Sequence, residues 1–109
     1  MKKFVFVYYG KVTPKDISKE QMASVMEKWS AWFETFKENM VDGGNPFASG
    51  AKAVTAEGIE TIPADMWPSK GYTIINAKNM SEATKIAKGC PALEDDSEGS
   101  VRVYEAMPM

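Results

Sequence analysis

The 109-residue sequence predicts a small α+β domain in which helices cover one face of a single sheet. Three observations predict this class: an amino-terminal run of β-branched and aromatic residues, a long segment with helical periodicity, and a strand–helix–strand unit from Gly71 to Glu105. At this length the chain can bury one hydrophobic core, so we expect a single domain spanning residues 1–109.

The first strand is predicted at Phe4–Tyr9, where every residue is β-branched or aromatic. Both alternating faces of this strand are apolar. A strand of this kind has to be covered on both sides, so we expect it to lie centrally in the sheet.

A long helix is predicted after the capping-box pair Ser18 and Gln21. Apolar residues then recur at helical spacing over about six turns. We expect the Asp42-Gly43-Gly44 run to cap this helix at its carboxyl end, followed by a turn at Asn45-Pro46, with Phe47 packed inward. The apolar residues at helical spacing, which we call the apolar stripe, are Met22, Val25, Met26, Trp29, Phe33, Phe36 and Met40.

The middle of the chain predicts a hairpin. Ala51–Ala56 is a weak strand, and Glu57-Gly58 suggests a tight turn into a short partner, Ile59–Ile62. The two prolines of Pro63–Ser69 predict an irregular connection.

The carboxyl-terminal half predicts strand, helix, acidic loop and strand. Asn79 or Ser81 caps the helix, and Gly89 followed by Pro91 ends it. The predicted strands are Tyr72–Ala77 and Val101–Met107, and the loop is Leu93–Gly99.

Two β-α-β halves joined in antiparallel fashion predict the ferredoxin-like β-α-β-β-α-β plan, with a four-stranded antiparallel sheet and two helices on one face. The other face carries apolar residues from the first and last strands, which favours a homodimer formed through that exposed sheet face. The alternative is that side chains of the Pro46–Trp67 connection fold over it.

The sequence resembles the YCII-related family, which implies the dimeric α+β barrel form of this fold. The resemblance covers most of the chain, including the Phe4–Tyr9 strand and the Trp29-x-x-Trp32-Phe33 helix. Its other motifs are Gly71–Ala77, Ser81-Glu82-Ala83, Cys90-Pro91 and Val101–Tyr104.

The chain departs from this family in two places. Many members carry an Asp-Gly-Pro-Phe segment where this sequence has Asp65–Lys70, so that Asp65 alone resembles the motif. Members thought to be catalytic are expected to use a histidine with an aspartate, and this sequence contains no histidine. The resemblance therefore implies no catalytic dyad at any position of this chain.

Charge and cysteine content exclude several function classes. The net charge is −2 and no basic run occurs, so we expect neither nucleic acid nor membrane as a partner. Cys90 is the single cysteine, which excludes an internal disulfide and predicts a cytoplasmic location. The acidic run Glu94–Glu98 lacks the spacing of a calcium loop, so we predict no metal site and no cofactor.

The cluster that most resembles a site is Asp65, Trp67, Lys70 and Tyr72. A carboxylate beside a tryptophan can have a raised pKa and act as a base, so Asp65 and Tyr72 are catalytic candidates, with Trp67 and Lys70 as ligand contacts. The structural alternative is a capped turn in which the tryptophan plugs the end of the sheet.

Three further residues are candidate ligand contacts. Asn45 could orient an oxygen, Trp29 could line an aromatic pocket, and Tyr8 could donate its phenolic hydrogen. Their structural alternatives are a turn and core packing. We therefore predict a homodimer that binds a small organic ligand between helix and sheet or at the dimer edge. The alternatives are a small-molecule enzyme, of the cofactor-free monooxygenase or lyase/isomerase kind, and a non-catalytic accessory or regulatory dimer.

Overall fold

The computed structural model describes residues 1–11, 17–48, 50–63, 66, 68–94, 96 and 98–109. Two of the candidate site residues, Asp65 and Trp67, lie outside these described residues. Within them the chain forms six strands, two α-helices and one 3-10 helix. In chain order they are β1 (Lys2–Tyr9), α1 (Lys19–Thr35), β2 (Met40–Asp42), β3 (Ala51–Thr55), β4 (Gly58–Ile62), β5 (Gly71–Ala77), α2 (Met80–Lys88), the 3-10 helix (Pro91–Leu93) and β6 (Ser100–Ala106).

The main sheet has four antiparallel strands in the order β2-β5-β1-β6. The strand predicted to be central, β1, is paired on both sides: Phe6 lies opposite Thr73 of β5 and Val103 of β6. This is the ferredoxin-like α+β fold that the order of sequence signals predicts.

The prediction was wrong about where α1 ends. The capping box of Ser18 and Gln21 begins the helix as expected, but the last helical residue is Thr35 instead of a residue near Met40. Asn39 explains the early end, because its side-chain amide donates to the Asn76 carbonyl (2.9 Å) and its own carbonyl accepts from the Asn76 amide (2.7 Å). These two bonds draw the chain out of the helix and onto β5.

The second strand of the main sheet is consequently β2, which follows this turn and pairs with β5. The hairpin predicted in the middle of the chain is present as β3 and β4, but it forms a separate two-stranded sheet. Strand β2 has only three residues, of which Met40 and Val41 are apolar. This pattern is too short to be recognised as a strand from the sequence.

The core lies between the sheet and the two helices. Phe4, Phe6 and Tyr8 alternate along β1 and point to this side, where the two phenylalanines are fully buried. Trp32 joins both helices to the sheet, since its ring packs at 6.2 Å from that of Phe6 and its indole N–H donates to the Ile86 carbonyl of α2 (3.0 Å).

The opposite side of the sheet, which we call the open face, is only partly covered. Val5, Val7 and Ile74 are half-buried there, and Tyr104 is 50% exposed. Phe47 does not pack inward as predicted: it is 49% exposed and stacks on Tyr72 at one corner of the open face (5.8 Å between ring centroids). The connection after β2 therefore covers one corner of the open face.

The Asp42-Gly43-Gly44 run is not a helix cap, contrary to expectation, because Asp42 is the last residue of β2 and the two glycines follow this strand. Gly44 has a φ of +78°, and a Cβ at this position would overlap the Tyr72 carbonyl oxygen. The glycine thus lets the chain after β2 lie directly against β5.

We predict that Gly44→Ala lowers the free energy of unfolding by more than about 3 kcal/mol, since it adds a backbone collision to an unfavourable φ. Gly50→Ala is the matched control, because Gly50 also has a positive φ (+91°) but has no atom within 4 Å of the added Cβ. It should cost only about 1 kcal/mol. Urea denaturation measures both values, and equal losses would contradict the close approach as the cause.

Candidate functional site

A chain of hydroxyl groups runs through the buried side of the sheet. The Tyr8 hydroxyl donates to Thr73 Oγ1 (2.6 Å), and Thr73 Oγ1 donates to the Gly43 carbonyl (3.0 Å). Because the threonine gives its only proton to Gly43, the tyrosine is fixed as the donor in the first bond. We call these two hydrogen bonds, from Tyr8 to Thr73 and from Thr73 to Gly43, the relay. The relay connects the centre of the sheet with the loop that follows β2.

Both ionisable groups at the buried end of this relay are held protonated. Burial, and next the adjacent Cys90 thiol, raise the pKa of Tyr8 far above its usual range. Burial likewise raises the pKa of Cys90 to about 11. The direction agrees with the helix C-terminal position of Cys90, although burial is the larger cause. Near neutral pH, Tyr8 can donate a hydrogen bond, and neither group can serve as a base or nucleophile.

Aromatic rings of α1 cover the relay. The Trp29 ring meets the Tyr8 ring edge-on at 5.2 Å, and it contacts Phe33 at 5.8 Å. Phe33 in turn reaches the Gly43 loop, where its ring lies 3.6 Å from the position of an added Cβ. The rings therefore link the relay to the surface on one side of α1.

An open groove of about 440 Å³ lies on that side, between α1 and the loop after β2. The groove is shallow and largely open to solvent, and its volume is comparable with that of small-molecule sites, about 300–1,000 Å³. The lining combines apolar side chains with a hydroxyl, a carboxylate and an ammonium group, and the last two form an ion pair at 3.3 Å. We call this the α1 groove; its lining residues are Ser30, Phe33, Glu34, Lys37, Met40 and Gly43.

Other predicted site residues gather at the same β2–β5 corner of the sheet, towards the open face. The Lys70 carbonyl accepts from the Phe47 amide (2.8 Å), and Pro46 bridges to Gly71. Tyr72 stacks on Phe47 and its hydroxyl lies 3.4 Å from Asp42 Oδ2. Asn45 is exposed next to this point.

The structure thus separates the predicted residues into two groups. Tyr8 and Trp29 are in contact on the helix side of the sheet, behind the α1 groove. Asn45, Lys70 and Tyr72 lie near the open-face corner. None of the five lines the α1 groove.

The sequence pattern did not predict the polar residues of the α1 groove, because they resemble the ordinary solvent-exposed residues of a helix. Ser30 and Glu34 lie at i and i+4 on α1, and Lys37 follows at i+7 in the turn after the helix; all three border the apolar stripe. A row of hydroxyl, acid and base at this spacing beside the half-buried Phe33 and Met40 is the signal that could have found them.

The described residues contain no group of three or more histidine, cysteine, aspartate or glutamate side chains able to hold a metal ion. No helix in the described part of the chain is long and apolar enough to cross a membrane.

The sequence matches no family model and no curated protein. Its structure is similar to that of 5-chloro-2-hydroxyhydroquinone dehydrochlorinase from Burkholderia phenoliruptrix AC1100, solved in complex with 2,5-dihydroxybenzoquinone. The two chains are 14% identical and superpose with a TM-score of 0.55 over 94% of this chain and 93% of that one. A likeness at this identity supports the shared fold.

The raised pKa of Cys90 makes stability depend on pH. The unfolded thiol loses its proton near pH 9 and the folded one near pH 11, so unfolding releases a proton between these values and stability falls as the pH rises. The limit is about 1.4 kcal/mol per pH unit. Urea denaturation from pH 9 to 10 should show stability falling as the pH rises in the wild type, and falling less steeply in Cys90→Ala; equal slopes would exclude the thiol as the source of the difference.

Proposed function

We propose that residues 1–109 form one YCII-like domain that assembles as a homodimer and binds a small organic ligand in the α1 groove. The observation that carries the ligand proposal is the position of this groove. Gly43 forms part of its wall, and the Gly43 carbonyl is linked through hydrogen bonds of Thr73 to the buried Tyr8. A cytoplasmic location remains a prediction based on the single cysteine.

Binding is favoured over acid–base catalysis by the chemistry of the described residues. The sequence has no histidine, and Tyr8 and Cys90 are both held protonated beside the relay. What the groove offers is a mixture of contacts: the Phe33 ring for a flat apolar ligand, and the Ser30 hydroxyl and Lys37 ammonium for its oxygen atoms. The dehydrochlorinase of the same fold, solved with a ring-shaped dihydroxyquinone, supports a ligand of that size.

The homodimer is supported by the charge pattern of the open face. Asp42 lies on edge strand β2, and Arg102 lies on the other edge strand, β6, with its guanidinium 4.3 Å from the centroid of the Tyr9 ring. A two-fold axis parallel to the strands places β2 of one protomer opposite β6 of its partner. By the register of the sheet, Asp42 then lies level with Tyr104 of the partner subunit and two residues along the strand from Arg102 of the partner subunit, while the apolar residues between the edge strands meet at the centre.

The ligand proposal is tested with 2,5-dihydroxybenzoquinone as the probe. Titration should shift the backbone amide signals of Ser30 and Gly43 in ¹⁵N NMR spectra, and Ser30→Tyr, which fills the groove, should weaken the affinity at least tenfold. Ser24→Tyr is the matched control, since Ser24 is exposed on the same helix but does not line the groove. It should bind as the wild type does. Shifts elsewhere, or equal binding by both variants, would contradict the proposed site.

The dimer geometry is tested by exchanging the two charges. Asp42→Arg and Arg102→Asp should each weaken dimerisation about tenfold, because each brings like charges close to one another across the interface. The double variant restores an attractive pair and should recover most of the loss. Sedimentation equilibrium measures the dissociation constants; a double variant no tighter than the single ones would exclude this pairing.

A further inference from the structure

The β3–β4 hairpin, which we call the arm, stands apart from the rest of the protein. It is a two-stranded sheet of its own, and the radius of gyration of the chain is 15.0 Å, against about 13 Å for a compact domain of this length. Val54 and Ile59 lie directly opposite each other on the arm, 75% and 70% exposed. A lone hairpin is marginally stable in water, and none of the described residues covers this apolar pair, so the arm is suited to pack against another surface.

The residues at the root of the arm, Phe47 and Lys70, show the direction in which the arm leaves the domain. Phe47, the last well-anchored residue before β3, hydrogen-bonds to Lys70, the residue that leads into β5. Its ring stacks on Tyr72, a side chain of the open face. The arm therefore leaves the domain beside β2 and on the open-face side.

We propose that the arm packs against a second copy of this chain, over the β6 edge of the partner subunit. This inference rests on the homodimer proposed above. In that dimer β2 of one protomer lies opposite β6 of the other, so an arm that leaves beside β2 on the open-face side is directed at the partner's β6. In the described part of the chain no strand pairs with the outer edge of β6, and this strand carries Tyr104, which is 50% exposed. Val54 and Ile59 provide the apolar contact, and each dimer contains two such contacts.

The arm contact is tested by making its apolar pair polar without changing its strand preference. The double substitution Val54→Thr and Ile59→Thr should keep the hairpin folded and raise the dimer dissociation constant at least tenfold. Met26→Thr is the control, because Met26 is 58% exposed on α1, away from the arm, and its substitution should change the constant less than twofold. Sedimentation equilibrium gives the constants.

A second measurement detects the contact between chains directly. A nitroxide label on Glu57→Cys, at the tip of the arm, is placed in an unenriched Cys90→Ala chain and mixed with ¹⁵N-labelled wild-type chain. The label should broaden the amide signals of β6 in the labelled chain, an effect that arises only between subunits. An unchanged dissociation constant together with unbroadened β6 signals would overturn the arm contact while leaving the dimer in place. A wild-type chain that stays monomeric would overturn the dimer itself, and the arm contact with it.

Discussion

The alternation of side chains along β1 is the constraint on which the other features depend. Because β1 is paired on both sides, its residues can only point to one of two faces. Phe4, Phe6 and Tyr8 fill the helix side, and the same register forces Val5 and Val7 onto the open face. Burial of the first set therefore leaves the second set only partly covered. A core on one side and an incompletely covered apolar face on the other are consequences of one strand.

Tyr8 shows how a core position can accommodate a polar group. It belongs to the buried set, yet its hydroxyl needs a partner, and Thr73 of the neighbouring strand supplies one. The threonine in turn donates to the Gly43 carbonyl, and Gly43 lines the α1 groove. The requirement to satisfy a buried hydroxyl thus connects the centre of the sheet to the loop beside this groove.

Features encoded by neighbouring residues could be predicted from the sequence, and features that depend on distant contacts could not. The Ser18–Gln21 capping box and the period-two pattern of β1 are local, and both were predicted correctly. The end of α1 depends on the hydrogen bond between Asn39 and Asn76, 37 residues away, and no local sequence pattern predicts this contact. The same holds for the site: Tyr8 was recognised as a donor, but its threonine partner lies 65 residues along the chain.

The root of the arm also bears on how this fold can change its length. Phe47 and Lys70 are hydrogen-bonded to each other, and Pro46 bridges to Gly71, so the segment between them begins and ends at the same point of the sheet. Closing a loop at a fixed pair of residues costs little more when the loop is longer. The chain can therefore lengthen, shorten or replace that segment without disturbing the register of the four main strands. In this sense the arm is an insertion, free to vary while the scaffold that carries it is retained.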